Sequence, residues 1–360
     1  MKDAPLTFLM AGGGTGGHVI PALAVAGELA RRGHQPLFIG TPSGLEAKLV
    51  PAAGFPIRWI EIGGLKRVGW ARTLRTMWQL PRATFRLLAL LKDQRPAAVF
   101  SLGGYVAGPV MLAAWLRRIP IVVMEPNALP GITNRWMGRA IARALISFPE
   151  TAAFFPAGKT ELTGLPVRPE FFALSARPRE STLTLLITGG SQGSRTLNQA
   201  ARQSWPLFRQ AQFPVRIIHQ TGPQAFSEFE RDFSQTGLEG QIVPFIQDMP
   251  GAFAAADLIV CRSGAGAVAE LAAAGKPAIL VPFPFAADDH QTRNAEVLAR
   301  AGAARLAPDR EFSGQSFFQE VTSLATQPGL LERMGEAARP FARPRAAQRA
   351  ADILEELALK

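Results

Sequence analysis

The chain has 360 residues, 48% of them hydrophobic and 19% charged, which is a globular composition and excludes a disordered or fibrous chain. With 39 Lys and Arg against 28 Asp and Glu the net charge is +11, which points to an acidic partner: nucleic acid, an anionic membrane surface or a phosphate-bearing ligand. One cysteine, Cys261, excludes an internal disulfide and fits a reducing compartment, and the length calls for two domains.

Leu6–Ala11 (LTFLMA) is a short apolar run bounded by glycines and is expected to be a buried strand. A helix is expected over Pro21–Arg32, with Pro near its start and Gly33 after its end. Strands are then expected at Pro36–Ile39, Ile57–Ile62, Ala97–Leu102, Ile119–Glu125 and Ala144–Phe148, with helices between most of them. That alternation means a parallel sheet with both faces covered. The second half restarts at Leu183–Thr188 (LTLLIT), which leads into another glycine turn, Gly189–Gly193. Val215–Gln220, Ile242–Phe245, Asp257–Cys261 and Ala278–Val281 continue that series, and Arg345–Leu359 is expected to be a closing helix. Two βαβ series imply an α/β chain of two Rossmann-like domains with parallel sheets facing a central cleft. The expected division is 1–163, 164–344 and a helix at 345–360 packing back on the first domain. No apolar run approaches the ~20 residues of a spanning helix, and the amino-terminal segment is too short for a signal peptide. The expectation is a soluble chain that sits on a membrane without crossing it.

The glycine turns carry the candidate chemistry. GGGTGGH (Gly12–His18) fits G-x-G-x-x-G, but the second strand ends Phe38-Ile39-Gly40-Thr41 without the acid that a dinucleotide ribose needs. A P-loop needs Lys where His18 stands. What remains is a backbone nest at a helix start, suited to an anion. His18 follows it directly and is a candidate general base. GGYVAGP (Gly103–Pro109) and Glu125-Pro126-Asn127 end at the same sheet edge, and Glu125 is a second candidate, or alternatively a turn or capping residue. In the second half, Gly189–Gly193 offers amides to a phosphate, and Arg262–Ala267 opens a helix in which Glu270 can receive a ribose diol. Asp288-Asp289-His290 is too thin a ligand set for a metal.

Together the segments GGGTGGHVIPALAVA (12–26), GGYVAGP (103–109), EPNALPGITNR (125–135), GLPVRPEF (164–171), GGSQGSRTLN (189–198), CRSGAGAVAELAAAGKPAILVPFP (261–284) and DDHQTRNA (288–295) resemble, over nearly the whole length, the MurG family. Its members are UDP-N-acetylglucosamine–N-acetylmuramyl-(pentapeptide) pyrophosphoryl-undecaprenol N-acetylglucosamine transferases. The resemblance implies the GT-B fold, the donor UDP-N-acetylglucosamine, and an undecaprenyl-linked acceptor, lipid I. It also implies inverting transfer to the C4 hydroxyl giving lipid II, with no metal and no cofactor. It implies that Thr15, Gly16 and Gly17 line the acceptor side, with His18 as base. Asn127 then approaches the N-acetylglucosamine, and Arg168 and Ser191 the nucleotide diphosphate. Ile246 offers backbone to uracil. Ala265, Gly266, Ala267, Val268 and Ala269 hold the α-phosphate, Glu270 the ribose, and Gln291 the sugar hydroxyls. Some members carry Gln where this chain has His290.

The expected location is the cytoplasmic face of the bacterial inner membrane, as a peripheral protein, with cell-wall synthesis proteins as further partners. The stretch Leu65–Lys92 supports this: seven cations (Lys66, Arg67, Arg72, Arg75, Arg82, Arg86, Lys92) interleave with Trp70, Leu74, Trp78, Leu80, Phe85, Leu87 and Leu88 and no acid. Such a pattern suits an anionic phospholipid surface, and Trp115 with Arg117 and Arg118 extends it. Three rivals remain. A related GT-B enzyme would use a diacylglycerol or sterol acceptor. A dinucleotide oxidoreductase lacks the ribose acid. A basic adaptor for nucleic acid does not require two glycine-loop domains.

Overall fold

The computed structural model describes residues 4–13, 16–60, 84–174 and 181–359. The expectations at Gly14, Thr15, Glu61, Ile62 and most of the basic stretch, 65–83, lie outside them.

The chain divides into two units, Met1–Pro166 with Arg345–Lys360, and Val167–Pro344. The first holds β1 (Thr7–Gly12), α1 (Gly16–Arg31), β2 (Gln35–Gly40), α2 (Glu46–Ala52), β3 (Ile57–Trp59), a helix over 84–94 that we label α3, β4 (Ala98–Gly103), α4 (Gly104–Leu116), β5 (Ile121–Glu125), α5 (Ile132–Met137), β6 (Arg143–Ile146) and β7 (Thr160–Leu162). Its strands form a seven-stranded sheet in the order β3-β2-β1-β4-β5-β6-β7, every neighbouring pair parallel. The apolar runs explain the depth of the central strands. Phe8, Leu9 and Met10 of β1, and Val99 and Phe100 of β4, are fully buried because helices cover both faces of a parallel sheet.

The second unit repeats the plan with β8 (Leu183–Thr188), α6 (Arg195–Gln210), β9 (Val215–Gln220), α7 (Phe226–Ser234), β10 (Glu239–Val243), α8 (Met249–Ala255), β11 (Leu258–Cys261), α9 (Ala265–Ala274), β12 (Ala278–Leu280), α10 (His290–Arg300), β13 (Ala304–Leu306), α11 (Gly314–Ala325) and α12 (Leu330–Ala338). The sheet order is β10-β9-β8-β11-β12-β13, again all parallel. One core face packs Leu185 and Ile187 of β8 against Trp205 and Phe208 of α6 and Phe317 of α11.

The last helix, α13 (Ala346–Ala358), returns to the first unit and packs along α1. Its Glu355 accepts from Arg32 Nη1 at 2.6 Å and lies 2.8 Å from His34 Nε2, while Arg349 pairs with Glu161 in β7.

Several boundaries differ from the sequence reading. Helix α1 starts at Gly16, so Pro21 stands inside it and its missing N–H leaves the Gly17 carbonyl without its intrahelical donor. Strand β10 begins at Glu239 rather than Ile242, because it is an edge strand whose first three residues are exposed and carry no apolar signal. β7 and β13, three residues each, had no counterpart in the sequence reading; runs that short show no periodicity.

In both sheets the strand order reverses between two neighbours, β1 and β4 in the first and β8 and β11 in the second. Ligands of such sheets sit beyond the carboxyl ends of the strands at that reversal. At that reversal the first sheet has the end of β1 at Gly12–Gly13, the start of α1 at Gly16–Gly17, and the turn at Gly103–Gly104; the second has Gly189–Gly193 and Arg262–Gly264.

Candidate active site

In the first unit His18 is the third residue of α1, and its Nδ1 lies 3.3 Å from the Gly13 carbonyl oxygen. A carbonyl can only accept, so this contact requires the hydrogen on Nδ1 and leaves Nε2 as the basic nitrogen of the neutral ring. The turn at Gly103–Gly104 closes over the same place. Gly104 has φ +81°, a backbone that disfavours any side chain, and its Cα faces the His18 ring, which a Cβ would meet at 3.5 Å, an ordinary contact distance.

Beneath this loop lies a group the sequence reading missed. The Glu46 carboxylate is fully buried and accepts from Thr41 N and Thr41 Oγ1, both at 2.9 Å. Thr41 Oγ1 is in turn 3.1 Å from the Tyr105 hydroxyl. A Cβ on Gly13 would stand 2.5 Å from Glu46 Oε1, so any larger residue there must displace the carboxylate packed against it. The first turn of α2, the tip of β2 and the first turn of α4 are thereby tied under the loop that carries His18.

Glu125, the last residue of β5, is buried and its two oxygens take four hydrogen bonds. Oε1 accepts from Asn127 N at 3.0 Å and Asn127 Nδ2 at 3.3 Å; Oε2 accepts from Gly131 N at 3.1 Å and Asn134 Nδ2 at 2.9 Å. Desolvation pushes its pKa up and these bonds pull it down. The arrangement folds the 126–134 segment around the carboxylate and fixes Asn127 at the strand end.

In the second unit, α9 starts at Ala265 with Gly264 before it, so no side chain caps its first turn and its amides face outward as a site for an anion. Arg262 braces this start from below. Its guanidinium donates to the carbonyls of Val281 and Pro282 and pairs with Asp309. Ser263 Oγ donates to the Gln291 carbonyl at 2.8 Å, and Asn294 Nδ2 donates to the Ser263 carbonyl at 3.1 Å. Gln291 uses its side-chain oxygen to accept from Phe283 N at 3.0 Å. The preceding Asp288 and Asp289 both have left-handed backbones, φ 54° and 53°, a strained entry into α10. His290 is half-buried, with Nδ1 2.7 Å from the Ala287 carbonyl.

Glu270 is the sixth residue of α9, partly open to solvent, with Arg168 Nη2 at 3.8 Å. Burial pushes its pKa up to about 7, opposed by the Arg168 charge. Ser191 is exposed at the tip of its glycine turn. Ile246 N donates to Gln220 Oε1 at 2.8 Å, so its amide is engaged by the protein itself.

The expected residues therefore gather in two places. Gly16, Gly17, His18, Glu125 and Asn127 stand at the carboxyl edge of the first sheet. Arg168, Ser191, Ile246, Ala265–Ala269, Glu270 and Gln291 stand at that of the second. Thr15 lies outside the described residues. Among those described, no group of three or more His, Cys, Asp or Glu is arranged to hold a metal ion.

The amino-terminal domain model of glycosyltransferase family 28 matches residues 8–146, and its carboxy-terminal domain model matches 184–357. The chain is 65% identical over 352 residues to the UDP-N-acetylglucosamine–N-acetylmuramyl-(pentapeptide) pyrophosphoryl-undecaprenol N-acetylglucosamine transferase of Solibacter usitatus, covering 98% of this chain and 96% of that protein. It is 45% identical over 360 residues to the transferase of the same name from Halorhodospira halophila, covering 98% of each. It superposes on the crystal structure of Acinetobacter baumannii MurG with a TM-score of 0.83 and 36% identity, over 98% of this chain and 100% of that one. The chain belongs to the MurG family. It has that family's two Rossmann-like domains, the GT-B type of α/β fold, and is a glycosyltransferase of family 28.

The raised Glu270 carboxyl makes a prediction about stability. Its ordinary value is 4.5 and its folded value about 7, so between them the folded chain holds a proton that the unfolded chain has released. Stability from this group is therefore lost as pH rises from 4.5 through about 7. Glu270→Gln removes the titration. In calorimetric scans without ligand, the melting temperature of the parent relative to the variant should fall across that window; a pH-independent difference would show that the carboxyl is unperturbed.

Proposed function

We infer that this chain transfers N-acetylglucosamine from UDP-N-acetylglucosamine to the C4 hydroxyl of lipid I, the undecaprenyl-pyrophosphoryl N-acetylmuramyl-pentapeptide, forming lipid II for peptidoglycan. The observation that carries this is the 65% identity to the Solibacter transferase over 98% of the chain. In the proposed step the acceptor oxygen attacks C1 of the sugar from the face opposite the phosphate. The new O4–C1 bond forms as the C1–O bond to UDP breaks, which inverts the anomeric centre. His18 Nε2 takes the hydroxyl proton, an assignment favoured by the Nδ1 contact to Gly13 that leaves Nε2 basic. The charge arriving on UDP meets the open amides at the start of α9 and the Gly189–Gly193 turn.

The remaining roles follow the same reading. Thr15, Gly16 and Gly17 line the acceptor side and Asn127 meets the sugar. Glu125, with four donors on its carboxylate, serves as the post that holds Asn127 rather than as the base. Arg168 and Ser191 address the diphosphate and Glu270 the ribose. Gln291 reads sugar hydroxyls through the part of its side chain not bonded to Phe283. At Ile246 the carbonyl is the group offered to uracil, since its N–H is held by Gln220.

Among the described residues no helix is long and apolar enough to cross a membrane. The acceptor's undecaprenyl chain stays in the bilayer, so the first unit is proposed to rest on the anionic cytoplasmic leaflet of the inner membrane. That location would bring it to cell-wall synthesis proteins and link it to cell shape and division. Exposed apolar side chains on α3, α4 and α5 support this: Phe85, Trp115, Leu116, Ile132 and, at 87% exposure, Trp136. These three helices pack together, Arg117 donating to the Leu88 carbonyl and Thr133 to that of Gly104. Arg86, Lys92, Arg117, Arg118 and Arg135 surround them, all exposed. Leu87, counted among the interface residues in the sequence reading, is instead buried in the core at 1% exposure.

The transfer itself is tested with radiolabelled UDP-N-acetylglucosamine and a short-chain lipid I analogue, with a diacylglycerol and a sterol as competing acceptors. Label should move to the lipid I analogue alone; transfer to another lipid in its place sinks the assignment. In the same assay His18→Ala should lower kcat by roughly 10²–10⁴-fold with a smaller change in donor KM. Near-normal kcat with a raised donor KM would make His18 a binding residue.

For the membrane, vesicles containing phosphatidylglycerol or cardiolipin should sediment the parent at low salt and release it as ionic strength rises. Changing Phe85, Trp115 and Trp136 together to Ser should weaken that binding. Undiminished binding by the folded triple variant would move the contact elsewhere on the protein.

A further inference from the structure

The carboxyl ends of β8, β9 and β10 lie side by side, with β9 in the middle. The last residue of β9, Gln220, is 1% exposed, and its carboxamide is used on both sides. Towards β8, Nε2 donates to the Gly190 carbonyl at 2.8 Å and to Thr188 Oγ1 at 3.2 Å. Towards the turn after β10, Oε1 accepts from Ile246 N at 2.8 Å. Both amide hydrogens and the carbonyl are satisfied, which is what a buried carboxamide must achieve to avoid an unpaired polar group.

The backbone around it is packed just as closely. Gly193 has φ +74°, and a Cβ there would lie 1.8 Å from the Thr221 carbonyl oxygen; a Cβ on Gly222 would lie 2.3 Å from that of Gln192. The 189–193 turn therefore rests directly on residues 221–222. Asn198 locks the contact from α6, donating to the Thr221 carbonyl at 2.9 Å and accepting from His219 Nε2 at 3.0 Å. Burial pushes the His219 pKa down to about 3, so the ring is neutral and brings no charge to this place.

We propose that Gln220 is a positioning residue for the nucleotide-sugar donor. One buried side chain sets the spacing between the turn that presents amides to phosphate and the backbone at Ile246, so that both address one nucleoside diphosphate. The inference rests on the donor reading given above. Gln220 is too buried to touch the ligand itself. Each arm also keeps bonds of its own without it: Gly193 N donates to Gly190 O at 2.9 Å, and Thr221 N to Val243 O at 3.0 Å. Loss of the carboxamide breaks the one side-chain link between Gly190 and Ile246, and a ligand that must contact both then pays the cost of ordering them on binding.

The test uses Gln220→Ala and the isosteric Gln220→Glu. The second keeps an acceptor for Ile246 N but sets an oxygen against the Gly190 carbonyl. UDP affinity is measured by titration calorimetry, and KM and kcat by the transfer assay with each substrate varied. In both variants the UDP Kd and the KM for UDP-N-acetylglucosamine should rise about tenfold or more, as expected for losing one or two buried hydrogen bonds. kcat should fall by less than KM rises, and the KM for the lipid acceptor should stay within about twofold. If the alanine variant does not fold, the glutamate variant carries the test. Donor KM within about twofold of the parent in a folded variant overturns the proposal, as does an equal rise in KM for both substrates. A loss confined to the active fraction, with KM unmoved, overturns it by showing a role in folding only. A parent that fails to bind UDP overturns the donor reading and the proposal with it.

Discussion

Every strand in both sheets runs parallel to its neighbours, so every strand-to-helix turn that follows a strand falls on one edge of its sheet. The N–H groups of a helix's first turn have no partner within the helix. A parallel sheet therefore collects unpaired donors along its carboxyl edge, most densely where the strand order reverses. In each unit glycines stand at that reversal, Gly12, Gly13, Gly16 and Gly17 with Gly103–Gly104 in one and Gly189, Gly190 and Gly193 with Gly264 in the other. Without side chains, those turns let the donors face a ligand. The proposed chemistry uses that property twice, for an acceptor joined through pyrophosphate and for a departing nucleoside diphosphate.

Open turns need support from beneath, and the two units supply it differently. In the first, buried carboxylates do it: Glu46 gathers Thr41 under the His18 loop, and Glu125 gathers Asn127, Gly131 and Asn134. A carboxylate is costly to bury, and here hydrogen bonds to its oxygens offset the cost, two on Oε1 of Glu46 and two on each oxygen of Glu125. In the second unit the supports beneath the glycine turns are the neutral Gln220 and Asn198, together with Arg262, whose charge is matched by Asp309. Glu270 is the exception, a carboxyl pushed up to about 7 with Arg168 nearby.

What was legible in the sequence were features encoded locally. Runs such as LTFLMA and LTLLIT followed by glycines announce a buried strand and an open turn, and the structure has β1 and β8 there. His18 and Glu270 stood out because each sits a few residues beyond such a turn. Glu46 and Gln220 did not, since what makes them matter is contact with residues brought close by the sheet: Gly13 is 33 positions from Glu46, and Ile246 is 26 positions from Gln220. Glu125 was found but not its use, because its donors at Gly131 and Asn134 appear only once the segment has curled around it. Trp136 escaped for a related reason. In sequence it is an aromatic in a six-residue helix; only folding reveals that it is left 87% exposed.

The account's central claim is that the nucleotide is held by the carboxyl edge of the second sheet alone. Amide hydrogen exchange of the full chain, with and without saturating UDP, tests it most directly. The account predicts slowed exchange at 188–193, at 220–222, and at the start of α9 through Glu270, with residues 8–12 and 101–108 unchanged. Protection confined to the glycine turns of the first unit would contradict it.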